Sequence, residues 1–116
     1  MAIERFRIKQ GTLKPALRAT LQQGDGTAID LTGCTVKFRM RSRRTNAVKV
    51  NLVASTIITP ASGIVEYRWQ GTATDTLGTF SGEFEVTFSG GEKLIAPATA
   101  AREDGSLEIE VTEPFA

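Results

Sequence analysis

Two pairs of carboxylates are spaced for chemistry, Glu83 with Glu85 and Glu108 with Glu110. Residues two apart on a strand share a face and lie roughly 6.5 to 7 Å apart, which overlaps the carboxylate separation of inverting glycosidases. Both pairs alternate with apolar or small residues, however, and solubility alone produces that pattern on the outer face of a strand. No aromatic platform for a sugar falls on that face, and perturbed carboxylates need burial or crowding that the alternation does not predict. Cys34 has no partner base, and its place at the start of a strand suits a small buried apolar residue. The chain contains no histidine. That removes the Ser-His-Asp and Cys-His arrangements, the commonest general base and the commonest ligand of zinc or copper. The expectation is a chain that is not an enzyme, with no catalytic residue, no metal ligand set and no cofactor site.

Two further groups invite a binding reading. Lys37, Arg39 and Arg41, continued by Arg43 and Arg44, form the strongest charge cluster. As a ridge it could hold phosphates, but no aromatic is interleaved for base stacking, and the cations alternate as a solvated sheet face does. Glu83 and Glu85 on a neighbouring strand are their natural cross-strand partners, so no nucleic-acid partner is expected. Gly24-Asp25-Gly26 resembles a phosphate or calcium loop only superficially. A strand follows it instead of a helix, and the evenly spaced acidic ligands of a calcium loop are missing, which leaves a turn.

The elements that must position these residues are strands. The run 79–89 is the longest alternation: Phe80, Gly82, Phe84, Val86 and Phe88 on one side, Ser81, Glu83, Glu85 and Thr87 on the other. It reads as a central strand with one face in the core. Val36, Phe38 and Met40 repeat the pattern against the basic ridge, and Val65, Tyr67 and Trp69 repeat it against Glu66 and Arg68. Leu17, Ala19 and Leu21 follow Pro15, while Val48, Val50 and Leu52 follow a hairpin loop at 42–46. Leu107, Ile109 and Val111 close the chain's strands. Apolar residues nowhere hold a 3.6-residue period long enough for a helix, although 99–104 has room for one turn. About seven to nine short strands, with turn signals about every ten residues, predict an all-β fold. Its form is an immunoglobulin-like β-sandwich of seven to nine antiparallel strands, with a closed barrel as the alternative. Its predicted core joins Val36, Phe38, Val65, Tyr67, Trp69, Phe80, Phe84, Val86 and Phe88.

Size and composition agree with one ordinary domain. The 116 residues are 41% hydrophobic and 23% charged, with a formal net charge of +1, which exerts no long-range pull on nucleic acid or anionic membrane. A single cysteine allows no intrachain disulfide. No run of about 18 apolar residues offers a membrane span, and Glu4, Arg5, Arg7 and Lys9 occupy the stretch where a signal peptide would be apolar. The expectation is a chain made in the cytoplasm, with no membrane partner.

Four segments carry a resemblance. They are Leu17-Arg18-Ala19-Thr20-Leu21 before the Gly-Asp-Gly turn, Asp30-Leu31-Thr32-Gly33 before an alternating strand, Gly63-Ile64-Val65-Glu66-Tyr67-Arg68-Trp69, and Asp75-Thr76-Leu77-Gly78-Thr79-Phe80 leading into Gly82-Glu83-Phe84-Glu85-Val86. In this order they resemble the N-terminal domain of the phage baseplate upper protein family. The resemblance implies a non-enzymatic phage structural protein of the virion, a β-sandwich that docks on other tail or baseplate proteins and on copies of itself as a homo-oligomer. Family members continue into a stem and further domains, whereas this sequence ends at Ala116. A capsid decoration or neck protein, or a free carbohydrate- or ligand-binding module, are the other readings. Independently of any family, Asp30 is placed to cap nearby backbone N–H groups in an Asx turn, and Gly33 to supply a turn geometry that a Cβ resists.

The expected organisation is an N-terminal arm or edge strand at 1–14, the sandwich at 15–112 and a C-terminal tail at 113–116. Phe6 and Ile8, sharing one face opposite Arg5, Arg7 and Lys9, and Phe115, displayed beyond Pro114, are the residues expected to make contacts within an assembly. Packing of either end on its own domain is the alternative.

Overall fold

A computed structural model of the chain describes residues 5–22, 27–96 and 107–113. The strands are β1 (Arg5–Lys9), β2 (Leu17–Thr20), β3 (Thr35–Ser42), β4 (Val48–Ala54), β5 (Thr56–Thr59), β6 (Ile64–Tyr67), β7 (Gly78–Thr87), β8 (Lys93–Ala96) and β9 (Leu107–Thr112). A larger sheet runs β1-β9-β7-β3-β4 with β8 also on β7, and a smaller one runs β2-β6-β5. Among the described residues the only helical turn is Pro60–Ser62. The fold is an immunoglobulin-like β-sandwich. In one sheet β3, β7 and β9 take the places of the third, sixth and seventh strands of that architecture, and in the other β2, β5 and β6 take those of the second, fourth and fifth.

β7 is central, as its alternation predicts. It pairs with β3 in a register that includes Phe38↔Phe84 and Val36↔Val86. Registered residues share a face, so the apolar sides of both strands reach one core. Phe38 is fully buried there, with its ring centroid 4.6 Å from that of Tyr67, 5.1 Å from Phe84 and 6.1 Å from Trp69. Eight of the nine predicted core residues are buried, and Phe88 packs against them half-covered. Gly82 lies in the same layer, where a Cβ would come within 2.7 Å of both Phe38 Cζ and Ile109 Cδ1. The large ring and the glycine are complementary.

The other edge of β7 is shared. Phe84 pairs with Ala96 of β8 and Gly82 with Leu107 of β9, so two strands divide that edge at adjoining steps of one face. The one-turn option at 99–104 lies outside the described residues. β1 then pairs with β9 in parallel, Phe6↔Ile109 and Ile8↔Val111, which corrects the expectation of a wholly antiparallel sandwich. The reason is connectivity. β1 leads into β2 of the opposite sheet, and a strand joined by a crossing between sheets is not held to the antiparallel direction that a hairpin imposes.

A second correction falls in β4. Met40 pairs with Val50 but Phe38 pairs with Val53, so the ladder bulges, and Leu52 takes a left-handed φ of 52°. An extra residue in one strand reverses the facing of the residues beyond it. Val53 therefore packs on the core in place of Leu52, and a second register shift, between Met40 and Arg41, sets Val48 opposite Arg41 on its outward face.

Candidate docking surfaces

The outer face of the larger sheet holds the carboxylates and cations singled out in the sequence. Arg39 Nη2 donates to Glu83 Oε1 at 2.7 Å, as the register Arg39↔Glu83 requires. Lys37 is registered with Glu85, but Glu85 has Lys93 of β8 at 3.9 Å, and Arg41 faces Ser81. The cross-strand balance thus holds for one of the three cations. Arg7 lies 3.2 Å from Glu110, and Arg43 reaches over β7 to place Nη1 2.6 Å from Glu108 Oε1. Glu108 is the buried member, its side chain 6% exposed against 24% for Glu83. Every carboxylate of the two candidate pairs therefore has a cation against it, and each contact joins neighbouring strands or spans a third.

Three carboxylates, exposed Asp30 and Asp75 and half-buried Glu66, are held below the usual carboxylate range. Asp30 accepts from the hydroxyl of Thr32 at 2.7 Å and from its amide at 3.0 Å, the Asx turn anticipated from the sequence. Gly33 follows with φ of 77°, a left-handed turn position, and feeds Cys34 and β3. Glu66 is lowered by Arg18 and Arg68, and Asp75 by Lys49 and Thr76. These are structural ties. Cys34 is half-buried and free, with Sγ 3.9 Å from the Thr32 carbonyl. Among the described residues, no group of three or more cysteine, aspartate and glutamate side chains is gathered as a metal site would need. Gly24-Asp25-Gly26 lies outside the described residues.

Of the expected contact residues, Ile8 is buried in the domain's own core and Phe6 is half-buried, stacked on Trp69 at 5.7 Å. Both side chains serve their own domain. What β1 leaves outward is its second backbone edge and the cationic side with Arg7 and Lys9. Phe115 lies outside the described residues.

A groove of about 900 Å³ opens where β3 turns into β4, and sequence reasoning missed it. One wall is the 43–47 turn and the start of β4, and the other is 76–80. The turn is fixed by Ser42, whose amide donates to Ala47 O at 2.9 Å and whose hydroxyl accepts from the Arg44 and Thr45 amides at 3.2 Å. Lys49 ties the two walls through Asp75 and Thr76. Val48 is 57% exposed and Leu77 40% exposed, one on each wall. Among the described residues, the groove's lining includes Arg43, Arg44 and Lys49 and no carboxylate. A bulge and a register placed these residues together, so no local spacing announced them. No family model matches the chain, and no curated protein matches it.

Proposed function

We propose that the chain is a non-enzymatic structural protein of a phage virion, a β-sandwich that docks on other tail or baseplate proteins and on copies of itself. The observation that carries the reading is where the four resembling segments fall. Leu17, Ala19 and Leu21, Leu31, Val65, Tyr67 and Trp69, then Phe80, Phe84 and Val86 are all buried, so the resemblance follows the frame of the sandwich and the turn that starts β3. Its surface suits docking better than catalysis. The candidate carboxylate pairs are engaged by cations across strands, whereas exposed apolar groups and, among the described residues, open sheet edges remain available to neighbours. The partners are then other virion proteins, and the place of work is the particle, after synthesis in the host cytoplasm. Deleting the gene and restoring it in trans tests this. Incomplete or non-infectious particles, rescued by the restored chain, are expected; normal particles without the chain would overturn the reading.

A further inference from the structure

Resting on that reading, we propose that the groove between the β3–β4 turn and residues 76–80 receives an extended acidic segment of another virion protein, one whose carboxylates alternate with apolar side chains. Charge complementarity and shape both favour such an occupant. Arg43 is occupied by Glu108 and Lys49 by Asp75, which leaves Arg44 as the lining cation with no ion partner among the described residues. Arg41 adds a second such cation beside the groove, on the outward face it shares with Val48. Val48 and Leu77 offer apolar surface on opposite walls, so a segment lying between them buries its own apolar side chains while its carboxylates meet Arg41 and Arg44.

The same features disfavour nucleic acid. Among the described residues Phe80 is the one aromatic in the lining, and it is buried, so they offer no exposed ring for a base to stack on, and two of the three lining cations are already neutralised. The walls are also fixed relative to each other independently of any occupant, by Lys49 on Asp75 and Thr76, while Ser42 fixes the turn that forms one of them. A preformed groove spares the binder the cost of ordering it.

The test is a titration of the purified protein with a fluorescent, end-capped peptide alternating glutamate with leucine, alongside its lysine–leucine counterpart and a single-stranded oligonucleotide. The expected result is saturable binding of the acidic peptide alone, weakening as salt is raised. Arg44→Glu and Leu77→Glu should each weaken it about tenfold or more, with the melting temperature unchanged, since both side chains are exposed. Absence of saturable binding, equal binding of the basic peptide, preferential binding of the oligonucleotide, or self-association abolished by the same variants would each overturn the inference. A chain present in particles but blind to the peptide overturns this inference alone; a chain dispensable for particles overturns the reading beneath it.

Discussion

Truncating Phe38 to alanine should cost about 3 to 5 kcal/mol, because its fully buried ring meets Tyr67, Trp69 and Phe84 and no neighbour is free to fill the space. Urea unfolding measures it, and a loss below about 1 kcal/mol would mean that the aromatic cluster is not closed around this ring. Gly82→Ala tests the same layer from the opposite direction. Its new methyl meets Phe38 and Ile109 at 2.7 Å, and the expected cost is about 1 to 3 kcal/mol. Asp30, Glu66 and Asp75, each lowered by its partners, should contribute to the acid limb of stability. A carboxyl lowered in the folded state contributes fully above its unfolded pKa, and the contribution disappears as pH falls through the folded value. The melting temperature should therefore be level from neutral pH to about 5 and fall below about 4. Combining Asp30→Asn, Glu66→Gln and Asp75→Asn should flatten that fall; an equally steep fall would assign it to other groups.

At the scale of elements, Arg43 and Arg39 make similar ion pairs in different surroundings. Glu108 is far less exposed than Glu83, so Arg43→Ala should destabilise by about 1 kcal/mol more than Arg39→Ala, as judged by chemical denaturation. β1 belongs to the sheet through its pairing with β9 and to the core through Ile8 and Phe6, so deletion of residues 1–10 should lower the melting temperature substantially. A deletion variant with unchanged stability would make β1 an accessory arm. The alternations in β3, β6 and β7 were legible because each has one face in the core, which forces a two-residue period on the sequence. The bulge at Leu52 was not, because Val48, Val50 and Leu52 keep an apolar alternation that the register with Met40 and Phe38 overrides. The parallel placement of β1 and the sharing of one β7 edge by β8 and β9 depend on pairings between distant residues, which leave no periodic trace. The groove was invisible for the same reason. Its walls, 42–49 and 76–80, are joined by sheet pairing and by Lys49 on Asp75.

For the whole molecule, the two sheets leave several backbone edges open among the described residues: the outer sides of β1, β4, β2 and β5, and the side of β8 away from β7. Short strands and charged side chains blunt such edges against indiscriminate pairing, and Lys93, Arg7 and Lys9 are placed to do so. Leu94 and Ile95 on β8 and Leu13, Val48 and Leu77 leave apolar surface exposed, of the kind that specific contacts with a neighbouring protein use. The proposed virion role makes a quantitative demand on the molecule's whereabouts, since a structural component occurs in a fixed ratio to the proteins it docks on. Quantitative mass spectrometry of gradient-purified particles measures that ratio directly. The account predicts that the chain co-sediments with infectious particles at a constant copy number across preparations; a chain abundant in the lysate yet absent from the particles would contradict it.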